Sequence, residues 1–303
     1  MAFWKILKNS VTTFLDDDPM TYASSLAFYT IISLPAILLL TINILSSAYE
    51  KDEIQASMLS QLNKYLGPTT VDQAEDILQN ASLEYDGILP QIIGFAVLIF
   101  SATTVFISLQ NGINRIWGVK PDPDVNIVKI FLDRVISFAM IVSIGFVMLV
   151  SFVVDSLLSI LSDWLALHMA GLGFITAMIV NGVISLGVIV IIFAFVYKVL
   201  PDAKTKWKNV KVGAFFTAIL FVLGKYLINL YLSSADVGSS YGASGSMVVF
   251  LFWVYYSSIL ILFGAKFTYA YTTYHEDLLT TDEHAVFVEE NVVDRESIKA
   301  KLE

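Results

Sequence analysis

Lys225, Asp155 and Lys266 are ionisable side chains that fall inside long apolar runs of this 303-residue chain. Charge in hydrocarbon is costly, so an intramembrane Lys or Asp is read first as a functional group. Lys225 lies 14 residues past Lys211, about 21 Å along a helix rising 1.5 Å per residue. Asp155 lies 20 residues past Val135, about 30 Å along its own helix. Both depths point to the same leaflet, where the two could pair beside a polar substrate path. The competing reading has Lys225 snorkelling and Asp155 simply ending its helix. Asn181 and Asn229 sit in the same apolar runs and extend such a path, although interhelical hydrogen bonds account for them equally. Lys266, 20 residues into the last run, is expected to snorkel toward lipid phosphates.

Residue types that carry covalent or metal chemistry are scarce. The three histidines, His168, His275 and His284, have no ligand partner at helical spacing. The lack of cysteine excludes disulfides, thiol nucleophiles and thiolate metal sites. No glycine-rich phosphate loop or paired-histidine zinc motif is present. No catalytic residue, metal or cofactor is therefore assigned, and neither an enzyme nor a nucleic-acid binder is expected.

The elements that position Lys225 and Asp155 are membrane helices. Hydrophobic residues make up 56% of the chain and charged residues 15%, with mean hydropathy +0.72, against about 45–50% and 25% in soluble domains. From Thr21 to Tyr49 there is no charged residue or histidine. Such a run exceeds the roughly 20 residues that cross a bilayer, and in hydrocarbon it must be helical. The expected fold is an all-α integral membrane protein with six transmembrane helices, near 21–48, 88–113, 135–162, 173–197, 210–232 and 246–271. Residues 1–19 read as an amphipathic interfacial helix, 20–275 as the membrane domain with an external helical loop at 49–87, and 276–303 as an acidic cytoplasmic tail. Within that tail, Val286-Phe287-Val288 is the piece able to dock.

Lys and Arg set the orientation. Fourteen lie in the N-terminal segment, the second and fourth interhelical segments and the tail, against two, Lys51 and Lys64, in the alternate loops. This split places both termini in the cytoplasm. Arg115, Arg134, Lys120 and Lys198 could form a cytoplasmic rim for anionic headgroups, although topology alone also explains them. Gly238, Gly242 and Gly245, in a serine-rich stretch, and Pro35, inside the first run, are candidate hinge or gate positions.

Four stretches carry a family resemblance. Ala23-Ser-Ser-Leu-Ala-Phe-Tyr-Thr-Ile-Ile-Ser-Leu-Pro35, Leu109-Gln-Asn-Gly-Ile-Asn-Arg-Ile-Trp-Gly-Val119, Lys198-Val-Leu-Pro-Asp202 and Tyr241-Gly-Ala-Ser-Gly-Ser-Met247 through Phe263-Gly-Ala-Lys266 resemble motifs of the YihY/BrkB-type bacterial membrane proteins. The resemblance covers about residues 16–275 and implies a six-helix protein of the bacterial cytoplasmic membrane. Its members have carried a ribonuclease BN-like label, and some are linked to envelope-lipid transport. Lys266 departs from the pattern, which usually has an acid there. The function expected is transport or flipping of an envelope lipid or another amphipath. A membrane scaffold and an ion or small-solute channel are the alternatives. Membrane lipids are the expected partners, with self-association and envelope protein partners left open.

Overall fold

The structure is a computed structural model that describes residues 2–45, 50–66, 71, 75, 88–121, 132, 134–136, 138–140, 142–144, 172–234, 245–275, 279–281 and 285–288. Its helices are α1 (Ala2–Thr13), α2 (Pro19–Leu45), α3 (Lys51–Leu66), α4 (Ile88–Ile116), α5 (Leu172–Val199), α6 (Trp207–Ser234) and α7 (Gly245–Tyr274). Another helical stretch runs within Arg134–Ile144. The rest of the third expected span, including Asp155, lies outside the described residues, as do Gly238 and Gly242. Among the described residues, three segments are long and apolar enough to cross a membrane: Gly182–Val199, Trp207–Ile228 and Val248–Tyr274. α2 and α4, of 27 and 29 residues, have the length for it, about 40 Å or more.

Helix boundaries follow from the sequence. α1 gives way to a 3-10 turn at Leu15–Asp17, and Asp18 adopts the left-handed conformation (φ 53°). Pro19 then occupies the first position of α2, where its missing N–H costs nothing. The backbone of α2 stays helical through Pro35. The Ser33 hydroxyl donates 2.6 Å to the Ser101 carbonyl of α4, tying the two helices together. α5 ends where Pro201 cannot extend it.

α2 packs on α4 and α7, and α6 packs on α5 and α7. The interior of this bundle is made of small, aliphatic and aromatic side chains, among them Ala23, Ile113, Tyr197, Ala214, Ala218 and Leu262. Val97, Phe100, Leu223, Leu227 and Leu230 face outward, as expected of surface solvated by acyl chains. Lipid supplies no hydrophobic drive between helices, so close packing must hold them. At Gly213 and Gly264 the partner helix comes so near that an added Cβ would lie 1.8 Å from Thr268 Oγ1 and 2.0 Å from Thr217 Oγ1, respectively.

One end of the bundle gathers α1, the C-terminal ends of α4, α5 and α7, the start of α6 and four short strands. β1 (Val119–Pro121) pairs antiparallel with β4 (Ala285–Phe287), and β2 (Ala203–Lys204) with β3 (Thr280–Thr281). This is called the strand end below. Gly118, with φ +65°, makes the turn from α4 into β1, and its carbonyl accepts from the Val288 N–H at 2.8 Å. Residues 285–288 of the tail are thus folded onto the bundle. α1 lies against α7 through Phe3, whose ring is 5.8 Å from that of Phe267, and buries Ile6. Trp4, Val11 and Leu15 point away from the protein.

Candidate functional site

Phe221, Lys225 and Ile228 recur at helical spacing on one face of α6, opposite Trp253, Tyr256, Ser257 and Leu260 on α7. Between them is a narrow crevice too tight to hold a water molecule. Gly224 lets α7 come close here: an added Cβ would sit 2.7 Å from the Tyr256 hydroxyl and from Leu260 Cδ1. Lys225 is half-buried, 18 residues or about 27 Å from the start of α6. Trp253 is 8% exposed, and its ring meets Phe221 edge-on at 6.1 Å. Among the described residues its buried indole N–H has no hydrogen-bond partner. A buried donor left without an acceptor costs about 1–3 kcal/mol. The cleft therefore favours an acceptor oxygen. The crevice has no room for a water-sized group as it stands, so a polar fragment would reach the indole N–H only where α6 and α7 part.

Of the other path residues, Asn181 and Asn229 lie on α5 and α6, where the backbone alone is described. Gly245 begins α7. The four basic residues do not form one rim. Arg115, in the last turn of α4, faces Asp18 at 3.9 Å. Lys120 is exposed on β1 opposite Val286. Lys198 donates 2.6 Å to the Thr205 carbonyl and stands 5.8 Å from the Trp207 ring, bracing the α5–α6 loop. Arg134 is bound instead to the middle of α4, through the Phe100 carbonyl at 2.8 Å and the hydroxyls of Thr103 and Thr104. Phe100 precedes Arg115 by 15 residues, so Arg134 is held about 22 Å away along α4.

Lys266 does not snorkel. It is 7% exposed and bonds Asp17 Oδ2 at 2.5 Å, because the 3-10 turn after α1 folds a carboxylate under the end of α7. Burial raises the Asp17 pKa above its usual 3.8, and the Lys266 ammonium opposes that rise. Lys266→Met should therefore cost about 2 kcal/mol in denaturant unfolding from detergent. That is less than the roughly 3–5 for a fully buried pair, because Asp17 keeps some contact with water. A carboxyl whose pKa is raised on folding binds its proton more tightly folded than unfolded. Stability then falls as pH rises through the raised value. The variant, with Asp17 pushed higher still, should lose more stability than wild type between pH 4 and neutrality, on the order of the same energy. Equal pH profiles for the two proteins would refute the pairing.

Sequence reasoning did not identify a second cluster at the strand end. Asp202 accepts from Gln110 Nε2 at 3.2 Å and Asn114 Nδ2 at 2.8 Å, while its own N–H donates to Asn114 Oδ1 at 2.9 Å. All three residues are buried. The signal lay in two motifs, 109–119 and 198–202, which prove to be each other's partners. Tyr197 was also missed. It is fully buried, donates to the Ile261 carbonyl at 2.7 Å and contacts Thr217 Oγ1 at 3.1 Å, joining α5, α6 and α7.

Comparison with known proteins gives a consistent picture. The family model described as virulence factor BrkB matches residues 10–286. A UPF0761 membrane protein of Psychrobacter sp. (strain PRwf-1) is 27% identical over 275 residues, covering 90% of this chain and 49% of the relative. One from Alteromonas mediterranea is 28% identical over 261 residues, covering 84% and 83%. One from Legionella pneumophila is 25% identical over 268 residues, covering 87% and 61%. The chain thus spans about half the length of the Psychrobacter relative. No solved structure matches the chain.

Proposed function

The chain belongs to the virulence factor BrkB family, and on that premise we propose that it moves an envelope lipid or another amphipath between the leaflets of the bacterial cytoplasmic membrane, without covalent chemistry. The observation that carries this reading is the α6–α7 cleft. It places Lys225, Tyr256, Ser257 and the Trp253 N–H, which has no partner among the described residues, together within an otherwise apolar helix pair. Moving a polar headgroup through hydrocarbon without hydrogen bonds costs several kcal/mol, and donors along the way reduce that cost. A headgroup entering between α6 and α7 as they part would leave its acyl chains in the bilayer. With the strand end in the cytoplasm, as the distribution of Lys and Arg favours, the cleft lies in the outer half of the membrane.

Reconstitution into liposomes with fluorescent lipid, followed by quenching of the outer leaflet, tests this reading. Wild-type protein should expose lipid beyond the half reached in empty vesicles. Lys225→Leu should slow that exposure about tenfold or more, the loss of one charge-assisted hydrogen bond worth roughly 1.5–3 kcal/mol. Wild-type vesicles indistinguishable from empty ones would sink the reading. A scaffold would tolerate the substitution.

A further inference from the structure

Arg134 is bound near the centre of α4. That helix has 29 residues and is about 43 Å long, longer than the roughly 30 Å hydrocarbon layer. Phe100, whose carbonyl accepts from Arg134 Nη1, is 12 residues from one end and 16 from the other. If α4 spans symmetrically, this contact lies within about 4 Å of the midplane. The guanidinium also stands 4.0 Å above the Phe100 ring.

All of these partners are neutral. The hydroxyl of Thr103 donates to the carbonyls of Ile99 and Phe100, and that of Thr104 to the Phe100 carbonyl. Their oxygens are thereby left as acceptors toward Arg134 Nη1, at 2.8 and 3.0 Å. Among the described residues, only Nη1 is engaged and no carboxylate pairs with Arg134. A guanidinium has five N–H donors in a planar fork that fits two oxygens of one anion. Val97, Phe100, Leu132, Val135 and Ile136 around it are exposed and apolar. A fixed cation whose other donors meet no partner among the described residues, beside exposed apolar side chains at mid-membrane, is costly until an anion arrives.

We propose that Arg134 binds the phosphate of a phosphate-bearing amphipath inside the membrane, presented by Thr103, Thr104 and the Phe100 carbonyl. The proposal rests on the translocation reading for why a headgroup would reach that depth, and it names the chemical class of the cargo. An inorganic anion would use the same chemistry, whereas an arginine that only pinned the Arg134–Ile144 stretch to α4 would bind neither.

The test uses the full chain in detergent and two readouts, the shift in melting temperature and bound lipid counted by native mass spectrometry. Dioctanoyl phosphatidylglycerol should bind wild type and raise its melting point, whereas dioctanoylglycerol, which lacks phosphate, should not. Arg134→Lys keeps the charge but loses the fork and should weaken binding about tenfold. Arg134→Gln should abolish it. The Lys variant decides the matter if the Gln variant does not fold. Unchanged affinity in the folded variants, or an equal response to dioctanoylglycerol, overturns the proposal. A shift produced by inorganic phosphate alone overturns the lipid as the source. Lipid bound through Arg134 without flipping in liposomes would defeat the translocation reading and leave this site standing. Flipping with unaltered binding in Arg134→Gln would do the reverse.

Discussion

Gly264→Ala should lower the stability of the protein by about 3 kcal/mol, although alanine is the better helix former by roughly 1 kcal/mol. Steric overlap outweighs propensity here because the added Cβ has nowhere to go. It would lie 2.0 Å from Thr217 Oγ1, 2.4 Å from the Tyr197 hydroxyl and 2.8 Å from Thr217 Cγ2. Neither neighbour can yield cheaply. Thr217 donates to the Gly213 carbonyl at 2.7 Å, Tyr197 to the Ile261 carbonyl at 2.7 Å, and both are fully buried. Relief must come from separating α6 and α7, which would also disturb the Lys225 cleft farther along the same seam. An internal control is available on α5. At Gly182 and Gly187 an added Cβ meets nothing within 4 Å, so alanine there should be neutral or stabilise by up to about 1 kcal/mol. Thermal unfolding in detergent separates these cases. A Gly264→Ala protein that melts with Gly182→Ala would show that the seam is not packed as described.

How far the sequence could foretell this molecule depended on the range of the interaction concerned. Long uncharged runs are local facts, and the helices they required are present wherever the chain is described. The strands at 280–281 and 285–287 are set by their partners some 80 and 165 residues upstream, and so short a strand carries little local signal of its own. Val286-Phe287-Val288 stood out only as an apolar patch in an acidic tail. Lys266 and Arg134 were misplaced for a shared reason. Distance along one helix says how deep a residue starts, not which side chain from another element meets it. Asp17 is 249 residues from Lys266, and Thr103 is 31 from Arg134. For Lys225 the structure supplies neighbours, Phe221 and Ile228 on its own helix and Trp253 and Tyr256 on α7, that depth along one helix does not indicate. Gln110 and Asn114, polar residues in an apolar run, suggest interhelical hydrogen bonds, whereas their partner is in the loop between α5 and α6. That their common partner is an aspartate in a loop could not be seen from either side.

Asp202→Ala is the second substitution expected to be severe, at about 3 kcal/mol. The methyl group would leave the Gln110 and Asn114 amides buried without their acceptor, and each such loss costs roughly 1–3 kcal/mol. Asp202→Asn is the informative comparison. It keeps the shape, but one carboxylate oxygen becomes a donor facing an amide N–H. The Gln110 side chain can turn its own oxygen toward that position, because its amide carries a donor and an acceptor at opposite corners. The asparagine variant should therefore lose only about 1 kcal/mol, and replacing Gln110 by Met in that background should remove the rescue. If the three groups act as one clamp, Asp202→Ala and Asn114→Leu combined will cost less than the sum of their separate effects, by about 1–2 kcal/mol. Strict additivity would mean that the cluster only fills space. A clamp has a further consequence, because it fixes the end of α4 to the turn from which α6 departs. α4 carries the contacts of Arg134 and α6 carries Lys225. Loosening Asp202 should thus slow lipid exposure in liposomes even in preparations that remain folded, a loss that space-filling alone does not predict.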